Sequence, residues 1–348
     1  MAKSCLGLDV GSYQIKIAEV AKQGRSGFRI NRLVKFVPPK RSIENHKLLD
    51  PNILGTALKR VLVQHGIKTE RVVLGLNSPD ILIRQASLPQ MGKKELEQAI
   101  ELDLADILNL PSHLNKEAMY HSFDIASEVG GTMEVVVVAC PKSLLDPYIS
   151  MMKKADLEPT VIDISAFSLP RINPSFASSR VCFVDLGYSQ TVIYIELNGV
   201  YGVYRILPLG GRLLDEAIAE AFAVDLADAQ RLRSELSLEE LLTQGTGSKS
   251  LLRSVVQQYV GGLLQTLDYL RSKSRASAIS EVLEQVVLLG GMADVKGFDT
   301  ILQQELDIEV TCLNPLTNFS LANNLEVPQD YGVYANAIGL AVRGLTER

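Results

Sequence analysis

One short pattern occurs twice in the chain and constrains its fold more than any other feature. The segment 8–14 (LDVGSYQ) reappears as 184–190 (VDLGYSQ), and the two aspartates, Asp9 and Asp185, lie 176 positions apart in 348 residues. In each copy an apolar run leads into Asp-x-Gly and a polar turn, and a second apolar run follows. The pattern predicts a β-hairpin with a tight polar tip, present once in each half of the chain.

The rest of the chain alternates short apolar runs with longer amphipathic stretches. The short runs, rich in Val and Ile, predict strands at 5–10, 14–20, 28–37, 71–76, 133–139, 160–164, 181–186, 191–197, 199–208 and 286–289. The amphipathic stretches predict helices at 52–65, 93–108, 144–155, 212–222, 226–236, 249–274, 298–305 and 331–345. Because strand meanders followed by helices occur twice, we expect an α/β protein with mixed sheets.

Length and charge narrow the class of protein. A chain of 348 residues exceeds the about 100 to 200 residues of a typical single domain, so two lobes are expected. The composition, 47% hydrophobic and 22% charged, is that of an ordinary globular protein. The formal net charge of −5 argues against nucleic acid as the main partner, because a surface that follows phosphates needs clustered Lys and Arg.

The cysteines and the apolar runs indicate the compartment. Cys5, Cys140, Cys182 and Cys312 lie far apart and form neither a CxxC pair nor a zinc pattern, so they are predicted to be small buried residues of a reduced protein. The N-terminal apolar run is too short for a signal peptide, and no window reaches the about 18 to 20 apolar residues of a membrane span. We therefore expect a cytoplasmic protein that reaches a membrane only through partners.

Two other patterns are weak signs of different chemistry. The segment 245–250 (GTGSKS) has serine at position 248 where a P-loop needs glycine, and no apolar strand precedes it, so it is predicted to be a linker. The four histidines, His46, His65, His113 and His121, show no spacing for a catalytic dyad or a metal site. Hydrolase chemistry of the Ser/His type is therefore unsupported.

The paired hairpins suit the binding of phosphates. Glycine at the tip removes the Cβ atom and lets backbone N–H groups approach an anion, and the hydroxyls of Ser12, Ser189 and Thr191 can donate further hydrogen bonds. The aspartates cannot contact phosphate favourably, so their natural role is to orient waters around a Mg²⁺ ion that bridges the phosphates. Lys16 is either a surface lysine or a phosphate contact, and the sequence leaves both readings open.

A third pattern comes late in the chain. The run 286–289 ends in Gly290-Gly291-Met292, and such a turn lets the backbone pack flat against an adenine or a ribose. Each of the three patterns is common by itself, because Asp-x-Gly tips and Gly-Gly turns occur in many proteins. Their occurrence in this order is far more specific.

The ordered set resembles a known superfamily. The segments 7–20, 183–199 and 286–298 are similar to the first phosphate loop, the second phosphate loop and the adenosine motif of the actin/Hsp70/sugar-kinase superfamily. The segment 161–167 resembles the connection between the lobes, where related ATPases place a residue that positions the attacking water. That resemblance assigns the catalytic position to Asp163. It implies an actin/Hsp70-type two-lobed fold with duplicated mixed β-sheets.

Within the superfamily the chain most resembles the PilM family of type IV pilus assembly. The resemblance rests on 6–12 with Ile15-Lys16, on 88–89 and 107–111, on 209–211, on 229–233 and on 267–270. PilM-like proteins resemble the cell-division protein FtsA and share its inserted subdomain. The resemblance implies a first lobe at 1–80 with 156–178 and 331–348, an inserted subdomain at 81–155, and a second lobe at 179–330 with a helical part at about 212–285.

The resemblance also implies ATP and Mg²⁺ as cofactors and a set of site residues. The residues expected to contact the nucleotide are Asp9, Gly11, Ser12, Tyr13, Lys16, Asp185, Gly187, Ser189, Gln190, Thr191, Gly210, Gly211, Gly290, Gly291 and Met292. Asp9 and Asp185 are expected to bind Mg²⁺ through water. Tyr188 departs from the family pattern, since small residues are usual there, and it could crowd the γ-phosphate. We therefore expect ATP binding with at most a weak ATPase activity.

The function implied by the resemblance is that of an ATP-binding cytoplasmic scaffold. Its expected partner is the N-terminal cytoplasmic peptide of a single-pass inner-membrane pilus protein similar to PilN, lying extended in a groove beside the insert. Pilus motor ATPases and the platform protein are further possible partners. We expect no nucleic-acid binding and no direct membrane insertion.

Three alternatives remain open. An FtsA-like polymerising division protein needs a C-terminal amphipathic helix beyond a spacer, and this sequence stops directly after the predicted helix at 331–345. A component of type II secretion assembly uses the same fold but usually carries its own membrane span. A sugar kinase or chaperone-type ATPase needs a polar substrate cleft, and the sequence offers no convincing set of residues for one.

Overall fold

The computed structural model describes residues 3–44, 47–111 and 114–346, so that His46 and His113 lie outside the described part. Its β-strands are β1 Ser4–Val10, β2 Ile15–Gln23, β3 Gly27–Phe36, β4 Ile43–Glu44, β5 Lys47–Leu48, β6 Arg71–Leu76, β7 Leu82–Pro89, β8 Met119–Val129, β9 Thr132–Pro141, β10 Glu158–Ile164, β11 Arg180–Leu186, β12 Thr191–Leu197, β13 Val200–Leu207, β14 Gln285–Leu289, β15 Glu309–Cys312 and β16 Ser320–Leu321. Its α-helices are α1 Pro51–Gln64, α2 Lys93–Leu108, α3 Lys142–Lys154, α4 Gly211–Phe222, α5 Leu226–Glu235, α6 Leu238–Thr243, α7 Ser250–Lys273, α8 Phe298–Leu306 and α9 Ala335–Thr346. None of these helices is long and apolar enough to cross a membrane.

All strands and helices predicted from the sequence are present, with ends that differ by a few residues. The sequence did not predict β7, β8, β15, the two-residue strands β4, β5 and β16, or the short helix α6. Strand β8 is the clearest case, because about half of its residues are exposed and its apolar residues are interrupted by polar ones. Its conformation depends on pairing with β9 along its whole length, which a single-sequence pattern does not reveal.

The chain divides into two compact units. The first consists of Met1–Pro38, Leu62–Leu76 and Glu158–Arg348, and the second of Pro39–Val61 and Asn77–Leu157. The second unit contains the whole of the segment 81–155 that was predicted as an insert, and it also includes 39–61. The finer division into two lobes and an insert stays a prediction.

The first unit contains two sheets that follow the same path. Their strand orders are β10-β6-β1-β2-β3-β16 and β13-β12-β11-β14-β15. In each sheet three consecutive antiparallel strands form a meander, and two later strands add in parallel beside the first strand of that meander. The predicted duplication of a mixed sheet is therefore confirmed.

The register of the two hairpins is also the same. Val10 pairs with Ile15 and Leu186 pairs with Thr191, so a four-residue tip closes each hairpin at the same distance from its aspartate. One cross-strand partner differs: Asp9 lies opposite Lys16, whereas Asp185 lies opposite Val192. The repeat seen in the sequence is thus a repeat of structure with one change of charge.

Helix α9 packs directly on the first sheet. A Cβ atom at Gly7 would lie 1.8 Å from the carbonyl oxygen of Ala337, and one at Gly344 would lie 2.4 Å from the sulfur of Cys5. Glycine is needed at Gly7 because helix and strand backbones are in contact there, and at Gly344 because the side chain of Cys5 occupies the space of a Cβ atom. Since residue 344 lies beside Cys5 and residue 337 beside Gly7, α9 runs antiparallel to β1 and begins near the first hairpin tip.

The second unit has its own core. Strands β7, β9 and β8 form a sheet in that order, with β9 in the centre. Helix α2 covers one face of it with Leu96, Ile100, Leu104 and Leu108, which recur every four residues along one side of the helix. This spacing explains why the helix was predictable although two of its three partner strands were not.

The cysteines correct one expectation in part. All four are free thiols, and Cys5 and Cys182 are buried as expected. Cys140 is partly buried and Cys312 is exposed, since β15 lies at the edge of its sheet. Cys312 is therefore not the small core residue that the sequence suggested.

Candidate functional site

The tips of the two hairpins meet. Ser12 Oγ lies 2.7 Å from Ser189 Oγ, a hydrogen-bonding distance. The ring of Tyr13 stacks on the ring of Tyr188 with 4.5 Å between centroids and an angle of 27° between planes. Two copies of one motif, far apart in the sequence, are therefore in direct contact in the first unit.

The glycine of each tip has the same steric reason. A Cβ atom at Gly11 would lie 2.8 Å from the carbonyl oxygen of Gln14, and one at Gly187 would lie 2.8 Å from that of Gln190. Real Cβ atoms do not approach oxygen this closely, so each tip needs glycine to close. In the second tip the N–H of Gly187 also donates to Gln190 O at 3.0 Å.

Asp9 lies at the end of β1 and is buried. Its carboxylate accepts a hydrogen bond from Ser165 Oγ at 3.4 Å and faces Lys16 Nζ at 3.4 Å. Both distances are long for hydrogen bonds, so the carboxylate is loosely held. Lys16, which had two possible roles, points at the aspartate of its own hairpin.

Asp185 is held more tightly. Asn336 Nδ2, in the first turn of α9, donates to Asp185 Oδ2 at 2.7 Å. Burial of the Asp185 carboxyl raises its pKa to about 6, and the charge of Asp9 acts in the same direction, whereas Asn336 and Lys16 lower it. Asp9 thus lies close enough to Asp185 for its charge to disfavour ionisation of the Asp185 carboxyl.

The turn before α4 supports the second tip. The N–H of Gly211 donates to Gly187 O and the N–H of Arg212 to Tyr188 O, both at 2.9 Å. A Cβ atom at Gly210 would lie 2.4 Å from Tyr188 O, so this glycine is needed for the contact. The predicted residues Gly210 and Gly211 therefore adjoin the site, and the N–H of Gly211 serves to hold the hairpin.

Thr191 does not place its hydroxyl where the sequence suggested. It is buried, and its Oγ1 donates to Leu209 O at 2.7 Å. Thr191 pairs with Leu186, so its side chain lies on the face of the sheet opposite to Asp185. The backbone of Thr191 belongs to the hairpin, but its hydroxyl is engaged elsewhere.

The Gly-Gly turn after β14 packs against Asp185. Gly290 has φ +91, and a Cβ atom there would lie 2.4 Å from Asp185 Oδ1. Gly291 is exposed, and a Cβ atom there would meet open space. Met292 is buried and lies against Gly211, where a Cβ atom would come within 2.6 Å of its sulfur. The third predicted motif thus joins the second hairpin and the start of α4.

Two charged residues beside this turn were not predicted. Arg233 in α5 forms an ion pair of 2.7 Å with Asp215 in α4, and its Nη1 donates to Gly291 O at 3.2 Å. Asp215 is 1% exposed, and within the described part of the chain its Oδ2 has no hydrogen-bond partner. The segment 229–233, which contains Arg233, carries a family resemblance but no motif that indicates its role. Asp215 belongs to none of the motifs found in the sequence.

Asp163 lies in a different environment. Its Oδ2 is 2.7 Å from Arg343 Nε in α9, and its Oδ1 accepts from the N–H of Ile164 at 2.8 Å. Across the sheet Asp163 pairs with Gly75, which in turn pairs with Asp9. The ion pair gives Asp163 a structural role between β10 and α9, and its predicted catalytic role stays a prediction.

The residues present fit a hydrated cation better than a directly bound one. Among the described residues no group of three or more His, Cys, Asp or Glu could hold a metal ion, so protein ligands alone do not make a metal site. Two nearby carboxylates, one with a raised pKa, would be stabilised by a cation between them. In the residues that the structure describes, Asn336 Oδ1 is buried without a hydrogen-bond partner, which suits a water on such a cation.

Asn336 and Ser165 are functional candidates that sequence reasoning missed. A polar residue in the middle of an otherwise apolar helix stretch, Tyr334 to Val342, was the available signal for Asn336. Ser165 gave none, since a serine after a strand is an ordinary feature of loops.

Comparison with known proteins places the chain in a family. A family model described as type IV pilus assembly protein PilM matches residues 7–345. The cell division protein FtsA of Bacillus subtilis is 22% identical over 206 residues, which cover 54% of this chain and 45% of FtsA. FtsA of Neisseria meningitidis serogroup B is also 22% identical, over 46% of this chain and 41% of its own length. The chain thus spans less than half of the length of these curated relatives.

Solved structures agree on the fold. The PilM-PilN type IV pilus biogenesis complex matches with a TM-score of 0.83 and 21% identity over 100% of both chains. The ethanolamine utilization protein EutJ of Carboxydothermus hydrogenoformans matches with a TM-score of 0.59 and 12% identity, over 98% of this chain and 90% of EutJ. The predicted actin-like fold is confirmed. With a family model that matches nearly its whole length, the chain belongs to the type IV pilus assembly protein PilM family.

Proposed function

We propose that the protein is an ATP-binding component of type IV pilus assembly that binds the cytoplasmic tail of a PilN-like inner-membrane protein. The observation that carries the nucleotide part is the contact between the two Asp-x-Gly tips, with 2.7 Å between Ser12 Oγ and Ser189 Oγ. Two glycine tips with hydroxyl groups and a lysine nearby are suited to a chain of phosphates. Family membership supports the pilus part.

The phosphates would lie at the two tips. Gly11 and Gly187 let the backbone come close, Ser12 and Ser189 supply hydroxyl donors, and Lys16 adds a positive charge near Asp9. Asp9 and Asp185 would bind waters of a Mg²⁺ ion. When bound, that ion neutralises phosphate charge.

The nucleoside would lie beside the Gly290-Gly291 turn. Gly291 borders open space, so a flat base or a ribose can approach its backbone without a clash. The buried Oδ2 of Asp215, without a partner among the described residues, is suited to accept a hydrogen bond from a ribose hydroxyl. Arg233 holds both Asp215 and the carbonyl of Gly291 in place.

Turnover would be slow. Tyr188 stacks on Tyr13 at the tips, where the terminal phosphate and an attacking water would have to fit. Asp163, the residue expected to position that water, is in an ion pair with Arg343. Both observations support a protein that binds ATP and retains it.

The partner would be an extended peptide. In the second unit, β7 and β8 each pair only with β9 among the described strands, so each has an outer edge that a further strand could join. A solved relative of this fold is a complex of PilM with PilN. Such a tail would hold the protein at the cytoplasmic face of the inner membrane. Motor ATPases and the platform protein are further candidates.

A peptide titration tests the partner part. A peptide that copies the cytoplasmic N-terminus of a PilN-like protein is added to the purified protein with Mg²⁺-ATP, and saturable binding is expected. Ser122→Lys on β8 and Ser87→Lys on β7 are a matched pair of exposed serines on the two outer strands. Loss of binding in one variant alone identifies the docking edge.

The outcome decides between functions. If the wild-type protein binds ATP but no such peptide, the pilus scaffold is contradicted, and an FtsA-like polymerising protein becomes the better candidate. Sedimentation of the ATP-bound protein then measures whether it forms filaments. If peptide binds and both serine variants bind equally, the partner is right and the strand-edge location is wrong.

A further inference from the structure

Asn336 is an unusual residue for its position. It lies in the first turn of α9, where its neighbours Ala335, Ala337 and Ile338 are buried and apolar, and it is itself only 5% exposed. A buried amide is unfavourable unless its donor and acceptor atoms both find partners. An apolar residue would pack at this position without that penalty, so the amide needs another reason.

The contacts of Asn336 are one-sided. Its Nδ2 makes a short, charge-assisted hydrogen bond to Asp185 Oδ2 at 2.7 Å. Its Oδ1, two bonds away in the same amide, has no hydrogen-bond partner within residues 3–44, 47–111 and 114–346. A purely structural amide would use both atoms, so half of this group is available to something outside the chain.

A line of buried polar groups continues from Asn336 to the other aspartate. Ser168 Oγ lies 3.5 Å from the backbone carbonyl oxygen of Asn336, and it donates to the backbone carbonyl oxygen of Ser165 at 2.7 Å. Ser165 Oγ in turn donates to Asp9 Oδ1 at 3.4 Å. Ser165 is 1% exposed and Ser168 is fully buried, so water does not compete for these contacts.

Close packing keeps this line in register. A Cβ atom at Gly339 would lie 2.6 Å from Ser168 O, and one at Gly75 would lie 2.5 Å from Ser165 Oγ. The 3₁₀ segment Ser165–Ile172 and α9 are therefore in backbone contact beside the two aspartates. A shift of either segment would move the donors of both carboxylates.

We infer that Asn336 is a positioning residue for a hydrated divalent cation that accompanies the nucleotide. Its Nδ2 fixes the carboxylate of Asp185, and its Oδ1 accepts a hydrogen bond from a water on the cation. Through Ser168 and Ser165 the position of Asp185 is linked to that of Asp9. This inference rests on the proposed nucleotide-binding function and adds a residue from outside the three sequence motifs.

The test measures how much Mg²⁺ improves ATP binding. ATP is titrated into the full chain by calorimetry, once with excess Mg²⁺ and once with EDTA, and the ratio of the two dissociation constants is the readout. Asn336→Leu removes both polar atoms at similar size. Thr346→Val is the matched control, because it removes a polar group from the last turn of the same helix, where the Thr346 hydroxyl lies near Val342 O and Arg343 O of its own helix.

In Asn336→Leu the ratio of the dissociation constant in EDTA to that in Mg²⁺ is expected to fall about 10-fold or more, as for other residues that orient metal ligands. Affinity for ATP in EDTA is expected to stay within about threefold, and Thr346→Val to behave as wild type. Ser165→Ala is the second variant, for the case that Asn336→Leu does not fold. Because it removes a single oxygen, Ser165→Ala is expected to keep the fold. Its Mg²⁺ effect is expected to fall in the same direction.

Three results would overturn the inference in distinguishable ways. If Asn336→Leu and Ser165→Ala bind ATP with an undiminished Mg²⁺ effect, the line of buried polar groups is only structural while the proposed function stands. If the wild-type protein binds no ATP with or without Mg²⁺, the proposed function fails and the inference fails with it. An equal loss of affinity in Mg²⁺ and in EDTA also contradicts a role toward the cation.

Discussion

Asp185 carries the clearest electrostatic penalty at the scale of single residues. Burial raises the pKa of its carboxyl to about 6, above the about 3.9 of an unfolded chain, and the charge of Asp9 adds to the effect. The folded protein therefore holds a proton on Asp185 that the unfolded chain gives up between about pH 4 and pH 6. Stability falls over that range, and the penalty is complete at neutral pH.

Asp185→Asn removes this penalty. Without nucleotide and Mg²⁺, the variant is expected to be more stable than wild type at pH 7.5 by up to about 3 kcal/mol, because the amide is neutral and of the same size. This gain in stability is expected to shrink at pH 5. It is expected to vanish near pH 4, where the Asp185 carboxyl of the folded wild-type protein is protonated and as neutral as the amide. Urea unfolding at the three pH values measures it.

The exposed carboxylate Asp103 on α2 provides the control. Asp103→Asn is expected to change stability by less than about 0.5 kcal/mol at any of the three pH values, as for most surface substitutions. A stabilisation by Asp185→Asn that is independent of pH would contradict the electrostatic explanation.

At the scale of elements, the two hairpins depend on glycine in the same way. Gly11→Ala and Gly187→Ala each place a Cβ atom 2.8 Å from the carbonyl that closes the tip. Both variants are expected to distort the tip, to lose about 1 to 3 kcal/mol of stability and to weaken ATP binding. Gly130→Ala, in the turn between β8 and β9 with open space around it, is the control for ATP binding. Equal ATP affinity in all three variants would contradict the assignment of the tips.

The middle of α7 offers a matched pair of substitutions. Gly261 has open space where a Cβ atom would lie, whereas a Cβ atom at Gly262 would come within 2.7 Å of Leu207 Cδ1. Gly261→Ala is expected to stabilise the protein by about 0.5 to 1 kcal/mol, since alanine is the better helix former. Gly262→Ala gains the same propensity but must displace Leu207. The midpoint of thermal unfolding is therefore expected to be higher for Gly261→Ala than for wild type, and lower for Gly262→Ala than for Gly261→Ala.

The hairpins were predictable because their signal is local. An apolar run, Asp-x-Gly, a polar tip and a second apolar run lie within fewer than twenty residues in each copy. Strand β8 was not predictable, because its conformation depends on β9 and its own residues are half exposed. The local pattern therefore predicted the two hairpins, whereas the elements that were missed depend on pairing between distant segments.

The candidate site likewise contains residues that the sequence predicted and residues that it did not. Asp9, Asp185 and the three glycine turns belong to motifs that can be read from consecutive residues. Asn336, Ser165 and Asp215 contribute through single side chains that the fold brings in from other elements. The orientation of Thr191 was not predictable for a related reason: the motif fixes its backbone, while the alternation of the strand turns its hydroxyl to the other face of the sheet.

At the scale of the whole molecule, the stacked tyrosines join two sheets. Tyr13 follows β1 and Tyr188 follows β11, and their rings lie 4.5 Å apart. If Tyr188 crowds the terminal phosphate, Tyr188→Ser is expected to speed phosphate release from ATP by about 10-fold, equal to ~1.4 kcal/mol of barrier. A phosphate-release assay at saturating Mg²⁺-ATP measures the rate.

Tyr269→Ser is the control, since Tyr269 is exposed on α7 and is expected to leave turnover unchanged. An unchanged rate in Tyr188→Ser, at unchanged ATP affinity, would show that the ring is not what slows hydrolysis. Asp163 would then be the next position to vary, because its ion pair with Arg343 is the other observation that supports the proposed slow turnover.

The contact between α9 and the first sheet has a consequence for synthesis of the chain. Helix α9 supplies most of the buried residues that cover β1, β2 and β6, yet it follows both sheets in the sequence. While the ribosome makes the chain, this apolar face of the first sheet lacks most of its cover until residues 335–346 have emerged. A nascent chain halted before α9 is therefore expected to expose this face and to be a target for chaperones, even though its second sheet already has α4, α7 and α8 to pack on.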